Sequence, residues 1–168
     1  MPRKTASDEQ DSAIHFLCLI LRERKRLLEA DEYTHAHHRH VRELCSKLLW
    51  KHSESRGKYD GCRYWSTGAL KSRERHKEVV QSRQKYGDDA LRHEHVFPRK
   101  ELILKLFDLP DPQPSQVQSL VERLNLGCVV TVSEDRKLPR KGTEPDPWDR
   151  YRVVGVSWVD RTQLADSA

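Results

Sequence analysis

His93-Glu94-His95-Val96-Phe97-Pro98-Arg99 places two imidazoles and a carboxylate at three consecutive positions, followed at once by apolar residues and a proline. In an extended segment successive side chains point to opposite faces, so the stretch predicts a short strand with His93 and His95 on one face and Glu94 on the other. That arrangement suits a hydrolytic metal site on a β-hairpin, where a carboxylate holds a hard cation and a neutral imidazole deprotonates water. A solvated polar strand end is the competing reading. Downstream, Asn125-Leu126 leads into Gly127-Cys128-Val129-Val130-Thr131-Val132, a β-branched run that reads as a buried second strand. Ser133-Glu134-Asp135-Arg136-Lys137-Leu138 follows as a short helix with Ser133 as its N-cap. Its acids precede its bases, the order a helix dipole favours.

A strand with Glu-His, a connection, Asn, a second strand and a short helix follow the order of the ββα-metal motif. Here the chain resembles the HNH endonuclease family. The resemblance rests on Glu94-His95, Pro98, Asn125 and the helix opening at Ser133, and it covers roughly residues 91 to 140. It implies an endonuclease that hydrolyses phosphodiester bonds in DNA, with Glu94 as a metal ligand, His95 as the general base and Asn125 steadying the site. His93 would either orient His95 or add a ligand, and Arg92 or Arg99 would clamp the phosphate. The family places a His or Asn on the helix as a further ligand, whereas this helix offers Glu134 or Asp135. Spacing from Asn125 favours Glu134; the helix face that follows Val130-Thr131 presents Asp135, the preferred of the two. Carboxylate ligands suit Mg²⁺ or Mn²⁺. No Cys-x-x-Cys pair exists, so the cysteine-zinc knuckle of many HNH proteins is missing. Symmetric cleavage of both strands would need two active sites, hence a homodimer. The helix without a His favours an alternative of another class, an HNH-like scaffold that has lost catalysis and binds nucleic acid or protein, as a small phage or host regulator would. A third reading is a structural helical protein in which the tripeptide is accidental.

The connection between the two half-motifs is far longer than a hairpin turn. Leu102, Ile103, Leu106 and Phe107 recur at helical spacing, as do Val117, Leu120, Val121 and Leu124, with Pro110-Asp111-Pro112-Gln113-Pro114 between them. Two inserted helices are therefore expected, over 100–109 and 115–124. Upstream, Asp11 or Ser12 caps a helix carrying Ile14, Leu17, Cys18, Leu21 and Leu28, and Val41, Leu44, Cys45, Leu48 and Leu49 mark a second one. Helices over 11–30 and 33–51 would form an antiparallel hairpin. The fold class expected is α+β, mainly helical, with an N-terminal helical hairpin in residues 1–55. An HNH-like ββα-metal unit with a flanking helix and a C-terminal strap would occupy 56–168, and the alternative at this length is one compact domain overall.

His35, His37, His38 and His40 invite a metal reading, because His35 with His38, or His37 with His40, could grip a transition metal on one helix face. His37 falls on the stripe of Val41, Leu44 and Leu48, so the cluster is read as structural. Tyr64-Trp65-Ser66 reads as an aromatic turn entering a helix capped by Ser66. Trp148, Tyr151, Val153, Val154, Val156 and Trp158 suit a final strand or a strap across the core, and the tail after Asp160 has no apolar pattern.

Composition bounds these readings. The 168 residues are 36% hydrophobic and 34% charged, and no apolar run approaches the roughly twenty residues of a membrane span. Met1-Pro2-Arg3-Lys4 is not followed by an apolar leader segment, and the four scattered cysteines fit reduced, buried thiols, so a cytoplasmic location is expected. The net charge of +5 is unevenly spread, at +1 for residues 1–50, +6 for 51–100 and −2 for the remainder. Lys71, Arg73, Arg75, Lys77, Arg83, Lys85, Arg92, Arg99 and Lys100 supply that excess. They make a candidate phosphate-tracking surface beside the His-Glu-His stretch, although Glu74 and Glu78 are interleaved as on a solvated helix face.

Overall fold

The computed structural model describes residues 5–77, 83–142 and 144–165; the basic start of the chain, Glu78 of the mixed-charge run and the last three residues lie outside them. In chain order the described residues form α1 (Ala6–Glu29), α2 (His35–Ser53), β1 (Tyr64–Ser66), α3 (Thr67–His76), α4 (Arg83–Tyr86), β2 (Leu91–His95), α5 (Arg99–Phe107), α6 (Pro114–Leu124), β3 (Gly127–Thr131), α7 (Val132–Lys137), α8 (Asp149–Arg152), β4 (Trp158–Asp160) and α9 (Arg161–Ala165). The protein is α+β and mainly helical, with one four-stranded mixed sheet. None of these helices is long and apolar enough to cross a membrane. The chain divides into two compact units, one of residues 1–55 with 99–125, the other of 56–98 with 126–168.

In the first unit α1 packs on α2 and α6, and α5 packs on α2 and α6. Helix α1 starts earlier than its apolar stripe suggests, because Thr5 and Asp8 form a reciprocal capping box. Helix α2 starts at Thr34 by the same device, with His37 in the position usually held by Glu or Gln: the Thr34 amide donates to His37 Nδ1 at 3.1 Å. His37 thus serves the cap while its half-buried ring stacks on Tyr33, with centroids 6.0 Å apart. Helix α6 has Pro114 in its first turn, where a missing N–H costs nothing. The apolar stripes Ala13-Ile14-Leu17-Cys18-Leu21, Leu102-Ile103-Leu106 and Val117-Val121-Leu124 are buried. An amphipathic helix must bury its stripe against another apolar surface, and here the inserted pair groups with the N-terminal hairpin rather than with residues 56–98.

The second unit holds the sheet, ordered β2-β3-β1-β4. Strands β2 and β3 run antiparallel from Leu91 opposite Thr131 to His95 opposite Gly127, while β1 lies parallel to β3 and antiparallel to β4. One apolar cluster gathers Trp65, Ala69, Leu91, Val129 and Cys62, and a second gathers Val96, Cys128, Val130, Leu138, Tyr151 and Val156. Tyr64-Trp65-Ser66, expected as a turn, is strand β1, and Ser66 caps α3 as expected, its Oγ accepting the Ala69 amide at 2.9 Å. The aromatic segment after Pro147 splits into helix α8 and strand β4. Helix α7 is capped by Thr131 and not by Ser133, because Thr131 has a glutamate three residues on and so completes a capping box. All four cysteines are buried free thiols, and burial pushes Cys45 up to about 12.

Candidate functional site

Strand β2 sets the geometry of the sequence-assigned residues. With the register fixed by β3, Leu91, His93 and His95 share one face of the strand and Arg92 and Glu94 share the other. The two imidazoles meet edge to face with ring centroids 5.5 Å apart. Gly127, opposite His95, makes room for them: a Cβ there would come within 2.3 Å of His93 Nε2. The general base assigned by the resemblance therefore stands with His93, and the assigned acid points to the opposite face.

Glu94 is held by a residue that the motif did not contain. Arg150 of α8, whose side chain is only 3% exposed, places Nη1 3.0 Å from Glu94 Oε1. The same nitrogen donates to the carbonyls of His95 at 2.7 Å and Val96 at 3.1 Å, and Nε donates to Pro139 O at 3.0 Å. Burial raises the Glu94 pKa above the ordinary carboxylate value, and the neighbouring Asp135 charge raises it further; the Arg150 guanidinium opposes both. Nothing in the local pattern Trp148-Asp149-Arg150-Tyr151 signals a buried cation; only the fold brings it to β2.

The two helix acids part company. Glu134 Oε2 accepts the Thr131 amide at 2.9 Å, the Thr131 hydroxyl at 3.1 Å and the Ser66 hydroxyl at 2.6 Å. Gly68 permits that approach, since a Cβ there would lie 2.3 Å from Glu134 Oε1. Asp135 instead accepts from Arg92 Nη1 at 3.2 Å. Asn125 belongs to the helical unit as the C-cap of α6, where its buried amide donates to Leu49 O at 2.8 Å and lies 3.3 Å from His52 Nδ1. The implied divalent metal fits this donor set poorly. To bind it, Glu94 would have to release Arg150 and leave a buried guanidinium without its counter-charge. Among the described residues no group of three or more His, Cys, Asp and Glu side chains is placed to hold a metal ion.

Of the expected phosphate-binding residues, Lys71 is exposed, Arg73 pairs with Asp60 at 2.8 Å and Arg75 with Asp89 at 2.5 Å. Arg99 and Lys100 open α5 in the helical unit. Other guanidinium groups of the sheet unit are paired as well, Arg63 with Asp160, Arg136 with Asp88, and Arg152 with Asp146 and Asp149. Comparison with protein-family models, with characterised proteins and with solved structures finds no match.

Proposed function

We propose that the chain is a nucleic-acid-binding module on an HNH-like ββα scaffold, in which Glu94 and Asp135 serve the protein's own guanidinium groups in place of a metal. The Glu94–Arg150 pair carries this reading: the acid that the motif would give to a cation is paired with a buried arginine that also satisfies the carbonyls of His95 and Val96. The positive excess over residues 51–100 supports a phosphate-bearing partner. A hydrolytic reading, with His95 as general base, retains one observation in its favour. Asp135 stands near enough to Glu94 to oppose its ionisation, a repulsion that a divalent cation would relieve.

Two measurements on the full chain separate these readings. Fluorescence anisotropy with labelled single- and double-stranded DNA across a salt series is expected to show binding that weakens steeply as salt rises. Plasmid incubated with Mg²⁺ or Mn²⁺ at protein excess is expected to stay intact. Nicking that requires metal and disappears in His95→Ala would overturn the binding-module reading in favour of the hydrolase. Absence of both binding and cleavage would overturn both.

A further inference from the structure

We infer that the phosphate backbone is bound on the helical unit, in the groove between α2 and α5. The inference takes its ligand class from the nucleic-acid reading above and adds the place. A groove of about 480 Å³ runs there. His35, Arg39 and Arg42 recur along one side of α2 at helical spacing, with His38 beside them, and α5 contributes Arg99 and Lys100 from its first turn. Glu43 is the one acid in the lining, and the buried Ile103 lies at its floor.

What sets the groove apart is that its cations are gathered on two helices around one cleft, whereas in the sheet unit six guanidinium groups are paired and, among the described residues, Lys71, Lys137, Arg140 and Lys141 line no such cleft with them. In the sheet unit Arg63, Arg73, Arg75, Arg92, Arg136 and Arg152 each lie within ion-pair distance of a carboxylate. Arg39, Arg42 and Lys100 form no ion pair with any described residue and so keep their charge for a ligand. Arg99 lies with its guanidinium carbon 5.6 Å from the centre of the Trp50 ring, which restricts its swing at the groove. Like charges gathered on two facing helix stripes repel one another, and an anion with several phosphates relieves that repulsion. The lining presents cations and imidazoles but no Phe, Tyr or Trp on which a base could stack. Contacts from such a surface go to phosphates, so binding is independent of base sequence.

The test compares the parent with the Arg39→Glu/Arg42→Glu/Lys100→Glu variant and with a control of equal charge change on the sheet unit, Lys137→Glu/Arg140→Glu/Lys141→Glu. Binding of labelled single- and double-stranded DNA is followed by anisotropy against salt. The groove variant is expected to bind at least about tenfold more weakly and to lose about three from the slope of log K against log salt on duplex, since each phosphate contact contributes close to one. The control is expected to stay within about threefold of the parent. An Arg39→Gln/Arg42→Gln/Lys100→Gln variant with parental circular dichroism and melting should show the same loss of slope, which separates lost contacts from lost folding. Equal losses in groove and control variants, or parental binding by the groove variants, would overturn the groove while leaving the nucleic-acid reading in place. A parent that binds neither form of DNA would overturn both.

Discussion

Arg150 is a single buried cation on a four-residue helix, yet it joins strand β2, the Val96 backbone and the Pro139 loop. Arg150→Ala should destabilise the protein by about 2–4 kcal/mol in urea melts, because it leaves the half-buried Glu94 carboxylate without its counter-charge and three carbonyls without their donor. Arg150→Lys should recover only part of this, since a compact ammonium cannot reach Glu94 and three carbonyls in the fork geometry of a guanidinium. A loss below about 1 kcal/mol for Arg150→Ala would mean that Glu94 is solvated and that its carboxylate is open to a metal after all. A second buried group sets a pH dependence. Burial lowers the His52 pKa below the ordinary imidazole value. The unfolded chain then takes up a proton at higher pH than the folded one does, so stability is fully present above the ordinary value and falls as pH drops toward the folded value. Chemical melts between pH 8 and 5 should show that loss, and His52→Gln should flatten it; an unchanged slope in the variant would assign the dependence to other groups. At this scale sequence and structure agree where alternation decides and differ where tertiary contact does. The shared face of His93 and His95 follows from strand period alone. Arg150 sits between Trp148 and Tyr151 in a segment expected as a strand or strap, and its partner lies on a strand far back along the chain.

Helix α7 shows how an element can be placed correctly and its start misjudged. Ser133 and Thr131 are both good caps, but only Thr131 has an acid three residues later, so the box forms there and Glu134 becomes part of the joint with Ser66. Glu134→Ala should therefore cost about 1–3 kcal/mol, through the lost cap and the Ser66 and Thr131 hydroxyls left without an acceptor. Glu134→Gln should retain most of the stability, because glutamine serves the same position in a capping box. Asp135→Ala, which removes a partly exposed pair with Arg92, should cost about 1 kcal/mol or less. Urea melts of the three variants check the order; an Asp135→Ala variant less stable than Glu134→Ala would assign the structural role to the other acid. The inserted helices were legible because their apolar periodicity is flanked by prolines. Their grouping with α1 and α2 was not, because periodicity reports that a helix has an apolar face and leaves open which surface covers it.

Over the whole molecule the chain leaves the sheet unit after Pro98 and returns at Leu126, so residues 99–125 interrupt a pair of strands that are already hydrogen-bonded partners. The exit and return points are adjacent: His95 faces Gly127, and the Val96 amide donates to Leu126 O at 2.9 Å. A short turn can bridge such a gap, and closing a short loop costs less chain entropy than closing a long one. Both apolar clusters of the sheet unit are built from residues of that unit alone. A fragment of residues 56–168 in which 99–125 is replaced by a brief Gly-containing turn should therefore fold, with cooperative unfolding in urea and dispersed amide resonances. It keeps Glu94, His95, Asp135 and Arg150 but lacks α2 and the basic start of α5, so it should bind DNA far more weakly than the full chain. A fragment that folds and binds DNA with the parent's affinity and salt slope would place the phosphate-contacting surface on the sheet unit. One that folds and cleaves DNA with Mg²⁺ would return the Glu94–His95 strand to the catalytic role that its resemblance first suggested.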